Sequence, residues 1–339
     1  MKKQKFTKRI ILYLTVPWMI IFQYCKLPTE ELTPLPPDPG TGMWQVGQLN
    51  TNGDARNVKG HIINDTQYAF LSDGQNGLQI ISISVPSNPI LVSNYNTFGN
   101  AAETFIDSVN GGKYAFISDI TKGLFILNVS NPSVPVLDTV LTYSGVNSAY
   151  TKNGFLYAAL VQGNLKVINI SNLPDAVFEV YTYIPKNIVG HIELNGNTAF
   201  FVERITGLEL ADISNPGSPV FLSAFRSPGS SLDVKIAGNL AYIADGNAGI
   251  CIANIGNPAQ PYFIAQINTD TDVRGIEYTP NFMLTAEYNS GTEVFNLFNP
   301  VSPEAFGYFE PEGFCFGINY FKGKVLVANG QKGLLILKF

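Results

Sequence analysis

The chain has 339 residues, 45% of them hydrophobic and only 14% charged, which fits a globular body with a sizeable core and excludes a disordered chain. Its 31 glycines, 21 prolines, 23 phenylalanines and 16 tyrosines suit many short strands joined by tight turns, so the expected class is all-β. The formal charge is −5. Five of the 21 basic residues (Lys2, Lys3, Lys5, Lys8 and Arg9) lie in the first 24 positions; the remaining 16 face 26 acidic ones, a net charge of −10. An acidic body argues against nucleic acid as a partner, because phosphate backbones demand a basic surface.

In chain order, Lys2–Arg9 is a basic n-region and Ile10–Tyr24 is mostly apolar, about 15 residues where a spanning helix needs roughly 20. A short apolar stretch ending at Cys25 resembles a bacterial lipoprotein signal, with Phe22-Gln23-Tyr24-Cys25 in the lipobox position. That resemblance implies removal of residues 1–24, acylation of the Cys25 thiol and residence in the bacterial cell envelope, at the outer membrane or cell surface. An uncleaved signal anchor and an ordinary secretory signal are the alternatives. Residues 25–43 carry Pro28, Pro34, Pro36, Pro37 and Pro39 and read as a semi-rigid tether.

From Trp44 to the end the chain repeats. Leu240–Ala244 and Ile250–Ile255 read as two strands around a Gly/Asn turn, closed by Asn257-Pro258, and six other stretches vary that theme. A glycine opening the second strand of each hairpin recurs at Gly77, Gly123, Gly163, Gly207, Gly249, Gly291 and Gly333, about 43 residues per step. A period of that length with four strands per unit predicts a β-propeller. The last copy stops at Phe339 without an outer strand, whereas Gln48–Asp54 matches the end of an outer strand at Gln266–Asp272. Trp44–Leu49 is therefore expected to complete the seventh blade, closing a ring over residues 44–339.

The repeat resembles the LVIVD-repeat proteins. Gly207-Leu208-Glu209-Leu210-Ala211-Asp212-Ile213-Ser214-Asn215-Pro216 and Ala241-Tyr242-Ile243-Ala244-Asp245-Gly246 carry the likeness. It implies a secreted or surface propeller and brings no catalytic residues to carry over.

Counting back 16 positions from each marker glycine reaches His61, Asp107, Asn147, His191, Asp233, Gly275 and Gly317 on the innermost strands. Their apolar neighbours imply period-two alternation, with the polar face toward the central channel. His61, Asp107, Asn147, His191, Asp233 and Arg274 are thus the channel-lining candidates, with Glu193, Lys235, Glu277 and Asn319 nearby. Asp73, Asp119, Glu203, Asp245, Glu287 and Asn329 recur beside hairpin turns, where Asp-Gly and Asn-Gly serve turn geometry. Nucleophile elbow, P-loop and zinc patterns are absent, and nothing in the sequence implies a cofactor or a metal site. Cys251 and Cys315 fall in non-adjacent blades and read as buried hydrophobes.

The expected function is a non-catalytic, lipid-anchored envelope protein whose monomeric propeller binds a protein or glycan. The alternative is a small-molecule or metal binder, or a hydrolase- or lyase-type enzyme, using the channel mouth.

Overall fold

The computed structural model describes residues 42–269 and 271–339. Cys25, the basic leader, the apolar stretch and the tether up to residue 41 lie outside the described residues. What is described is seven four-stranded antiparallel sheets, each in sequential strand order. β1 (Trp44–Leu49) is the exception that closes the ring. It pairs with the C-terminal strand in the register Trp44↔Lys338 to Leu49↔Leu334, so the first strand completes the last blade.

Blade one shows the unit: β2 (Asn57–Ile63) innermost, then β3 (Thr66–Ser72), β4 (Leu78–Ser82) and the outer β5 (Ile90–Tyr95). The second and third strands are apolar on both faces because each is sandwiched between neighbouring blades; Phe70, Leu71, Ile80 and Ile81 are fully buried. Outer strands alternate, and Ile90 and Leu91 reach solvent. The core is accordingly divided. Seven apolar clusters occupy the seven blade interfaces, and the cluster that seals the ring joins Leu71 and Ile81 of blade one to Leu326 and Ile336 of blade seven.

Two features of the repeat acquire causes. The marker glycines all adopt positive φ; at Gly77 (+73°) a Cβ would lie 2.2 Å from the Tyr95 carbonyl, and at Gly249 (+81°) 2.1 Å from that of Ile267. Only glycine lets the turn pass so close to the outer strand. The Asn-Pro turns serve the preceding blade: Ser93 Oγ donates to the Pro132 carbonyl at 2.6 Å, Tyr157 Oη to that of Pro216 at 2.9 Å and Tyr242 Oη to that of Pro300 at 2.8 Å. Proline leaves its carbonyl free to accept while fixing the local backbone.

The turns define two faces. Crossovers from each outer strand to the next inner strand lie beside the turns between second and third strands; this is the crossover face. The opposite face carries the inner hairpin turns and the Asn-Pro turns. Trp44 enters at that opposite face, since it pairs with Lys338, and Leu49 reaches the crossover face beside Leu334.

Candidate functional site

The channel is lined by inner strands, whose alternate residues point away from the blade interfaces. Strand pairing orders those residues into levels. Ser72, Ser118, Ala159, Val202, Ala244, Ala286 and Ala328 occupy one repeat position, and their inner-strand partners are Asn57, Glu103, Ser148, His191, Asp233, Gly275 and Gly317. The candidates counted back from the marker glycines therefore do not share one level. His191 and Asp233 do. Asn147 and Arg274 sit one residue earlier, in β-bulges at Val146/Ser148 and Val273/Gly275. His61 and Asp107 lie four residues further along, toward the opposite face. The physical reason is hairpin length. From the shared level to the turn, the inner hairpins of blades one and two are two residues longer on each strand than that of blade four, so a fixed count from the glycine slips by four. The two histidines thus stand at different heights, and shared coordination of one ligand is ruled out by register.

At the lower level, His61 lies near Lys113 and Asp107; burial first, then the Lys113 charge, holds its imidazole below the ordinary value. Asp107 accepts a short hydrogen bond from Thr151 Oγ1. This level is a set of local contacts.

The upper level has a centre. His191 Nδ1 lies 3.1 Å from Glu103 Oε1, and Nε2 lies 3.2 Å from Asp233 Oδ1, tying blades two, four and five. Burial opposes charge on all three groups. Glu103 and Asp233 nevertheless overcome it and raise the imidazole, and His191 together with Lys59, joined at Asp233 by Lys235, lowers the two carboxyls. The Nε2 contact is an ion pair without hydrogen-bond alignment, since that nitrogen has no hydrogen-bond partner. Below it, Lys235 Nζ meets Glu193 at 2.9 Å and Asp233 at 3.7 Å, which reverses the effect of burial and keeps the ammonium well above its usual value. Asn319 Nδ2 donates to Glu277 at 2.7 Å, and blades two and three contribute the Phe105 and Tyr150 rings, tilted by 34° with centroids 4.2 Å apart.

Several of these side chains also stitch neighbouring inner strands. The backbone N–H of Ile276 donates to Asp233 at 3.0 Å, that of Ile192 to Ser148 at 3.2 Å and that of Gly60 to Asn319 at 2.8 Å. Inner strands have no sheet partner on the channel side, so a side-chain acceptor from the next blade satisfies an N–H that the channel would leave bare. Both ring nitrogens of His191 face carboxylates, leaving no lone pair for a metal, and no cluster of three or more His, Cys, Asp or Glu among the described residues is placed to hold an ion.

On the crossover face the channel opens into a cavity of about 240 Å³, lined among others by Arg56, Lys59, Asn147, His191, Arg274 and Phe316. Arg274 lies 3.7 Å over the Tyr288 ring and 5.2 Å from Phe316; Arg56 lies 4.6 Å from the same Phe316. Lys59, Arg56 and Glu103 were not among the candidates. The alternation of charged and apolar residues on the inner strands, counted from the hairpin turn instead of the glycine, is the signal that finds Lys59 and Glu103.

The acidic residues beside the turns do more than shape them. Positive φ belongs to Gly74 and Gly246, not to Asp73 or Asp245. The carboxylates clamp the crossovers: Asp73 accepts from Thr51 at 2.8 Å, Asp119 from Thr97 at 2.6 Å and Asp245 from Ser227 at 2.6 Å and the Gly229 N–H at 2.7 Å. Burial lifts Asp73 to about 6, whereas donated hydrogen bonds outweigh burial and hold Asp119 low. Cys251 and Cys315 are free and buried, and burial pushes both thiols up to about 12, which keeps them protonated and unreactive.

Residues 52–97, 108–142, 188–226 and 228–269 match the LVIVD repeat, which places matches on blades one, two, four and five. No curated protein matches the chain. Among solved structures it is similar to the crystal structure of the computationally designed Ika8 protein, at 8% identity and a TM-score of 0.61, over 87% of this chain and 99% of that one. At that identity the likeness speaks for the fold alone. The chain is a seven-bladed β-propeller carrying LVIVD repeats.

Proposed function

We propose that this protein is a non-catalytic lipoprotein of the bacterial cell envelope, held at the outer membrane or cell surface through Cys25, whose propeller binds a protein or glycan partner on its crossover face. The observation that carries the reading is where apolar side chains meet solvent. Outer strands expose some, as in any propeller rim. Beyond these, the opposite face exposes Phe298 (88%), Val85, Val134 and Val301 on its third-to-fourth-strand turns, whereas the crossover-face loops project Phe98 (82%), Ile184 (77%) and Ile205 (76%), with Ile188 and Phe314. Isolated exposed apolar residues need no explanation, but several on the loops of one face, around one channel mouth, mark an interaction surface. Lys122, Lys186, Arg204 and Arg226 are exposed on the same loops.

Chain direction supports the arrangement. Trp44 enters the ring at the opposite face. The N-terminal segment thus joins the ring away from the proposed binding face. The channel chemistry fits binding better than turnover, because its central carboxylates and histidine are locked into mutual ion pairs and blade-to-blade hydrogen bonds.

The test compares full-length protein with a Phe98→Ser/Ile205→Ser variant in affinity capture from envelope fractions and on a glycan array. A partner retained by the parent and lost by the variant supports the reading. Equal capture by both, or turnover of any panel substrate, overturns it. For the anchor, Cys25→Ala is expected to release the protein from the membrane fraction; retention contradicts lipidation.

A further inference from the structure

The mouth cavity carries guanidinium donors that no acceptor among the described residues takes up. Arg56 uses Nη2 on Asp54, while its buried Nε has no partner. Arg274 uses Nε on Asp272 at 2.8 Å, leaving two terminal nitrogens without an acceptor among the described residues. Lys59 lines the same cavity and makes no hydrogen bond or ion pair among the described residues. Asn147 spends its amide on the Val189 carbonyl at 2.9 Å, which holds the side chain at the wall.

The two guanidiniums come from blades six and one and flank Phe316 of blade seven, 5.2 and 4.6 Å from its ring. Each guanidinium already holds one carboxylate, Asp54 or Asp272, and an oxyanion between them takes the donors that those acids leave free. Arginine presents donors in a planar fork suited to two acceptor oxygens, and here the aromatic ring fixes the plane of each fork. The Glu103 and Asp233 carboxylates deeper in the cavity face His191 and also feel the Lys59 charge, so the donors left over at the mouth are chiefly those of the two guanidiniums.

We propose that the channel mouth binds a small oxyanion, a carboxylate or phosphate, gripped by Arg56, Arg274 and Lys59 with Phe316 as an apolar wall. The inference deepens the reading of this protein as a binding module and rests on it. A volume of about 240 Å³ is below the range of drug-sized pockets, so the mouth takes one acidic sugar or organic acid, or the acidic end group of a longer ligand. Neutral sugars accept hydrogen bonds but lack the paired anionic oxygens that a guanidinium fork favours.

The experiment is calorimetric titration of the full-length chain in detergent with glucuronate, inorganic phosphate and, as the neutral control, glucose. Saturable binding of glucuronate or phosphate is expected, with Kd at or below about 1 mM, weakening as salt rises; whichever arm binds more tightly identifies the oxyanion. Arg274→Gln and Lys59→Met are each expected to weaken it about tenfold or more. Arg274→Lys restores charge without the fork, and an affinity between parent and Arg274→Gln confirms that both contribute. The proposal is overturned by no saturation with either anion, by glucose binding as tightly as glucuronate, or by variants that keep the melting temperature and the parental affinity. Partner capture that depends on Phe98 and Ile205 while neither anion binds removes this inference and leaves the interaction face standing.

Discussion

Replacing His191 with alanine tests whether the upper channel is an ion-pair tie. The imidazole stands 3.1 Å from Glu103 and 3.2 Å from Asp233, with the three side chains only 11–18% exposed. At an effective dielectric of 20 each contact is worth about 5 kcal/mol gross, and most of that offsets desolvation. Removing one partner of a buried pair leaves the other charge uncompensated, which costs about 3–5 kcal/mol. Lys235, 3.7 Å from Asp233, softens the loss on one side, so about 3 kcal/mol is expected. The effect depends on pH. His191 is raised above 6.5, so its contribution is complete below 6.5 and fades as pH climbs through the folded value. Glu103 and Asp233 are lowered from 4.5 and 3.8, so theirs is complete above those values and fades as pH falls through the folded ones. The difference between parent and His191→Ala should therefore peak between about 4.5 and 6.5 and shrink toward pH 9. Urea unfolding at pH 5.5 and pH 9 measures it. Adding Glu103→Gln to His191→Ala should recover part of the loss, because the stranded charge disappears. A pH-independent loss, or none, would refute the account.

Gly249→Ala should destabilise by about 2–4 kcal/mol, since φ of +81° disfavours alanine and the new Cβ would meet the Ile267 carbonyl at 2.1 Å; a thermal midpoint within 1 °C of the parent contradicts that geometry. Asp73 binds its proton more tightly folded (about 6) than unfolded (3.8), so stability gains as pH falls through 6 toward 3.8; Asp73→Asn should flatten that slope in denaturant titrations, and an unchanged slope places the proton elsewhere. Deleting residues 1–49 removes β1 and bares the Leu334–Lys338 edge; soluble aggregates in size-exclusion chromatography are expected, and a monomer with parental stability would mean that the ring does not need its closing strand.

The fold was legible because its rules are local. Strands Leu240–Ala244, Tyr262–Ile267 and Trp44–Leu49 fall where alternation and turn residues place them, and the closing strand followed from a missing element at Phe339. The channel was legible only in part. His191 and Asp233 share a level because blades four and five have inner hairpins of matching length. His61 and Asp107 were displaced because two extra residues per strand lengthen the inner hairpins of blades one and two; the 46-residue step from Gly77 to Gly123, against 42 from Gly249 to Gly291, records the insertion, but a fixed count of 16 passes over it. A β-bulge likewise turned Asn147 and Arg274 out of step with their neighbours. Such changes are invisible to a count that starts outside the hairpin. The role of Asp73 and Asp245 was hidden for another reason. The same residue types serve turns and crossover clamps, and only the partners, Thr51 and Ser227, distinguish them.

Repetition and function pull on different residues of this ring. The positions that face neighbouring blades are mostly apolar, because each must fill a similar space, with exceptions such as Gln79, Glu209 and Thr292. The channel positions face no neighbour and are free to differ. At one level they run from Glu103 and His191 to Gly275 and Gly317. A ring needing only stability gains little from buried charges there, since well-packed apolar side chains serve as well or better. The charges are also unevenly spread. Blades two, four and five hold the Glu103–His191–Asp233 tie, while blades six, seven and one place Arg274, Phe316 and Arg56 at the mouth with donors to spare. Glycine at 317 sharpens that side, because a Cβ there would lie 2.9 Å from the Arg56 carbonyl, so the inner strands of blades seven and one approach closely and bring the arginine to the ring of Phe316. A sevenfold backbone thus carries a one-sided channel, and the side with unspent donors is where a ligand gains most.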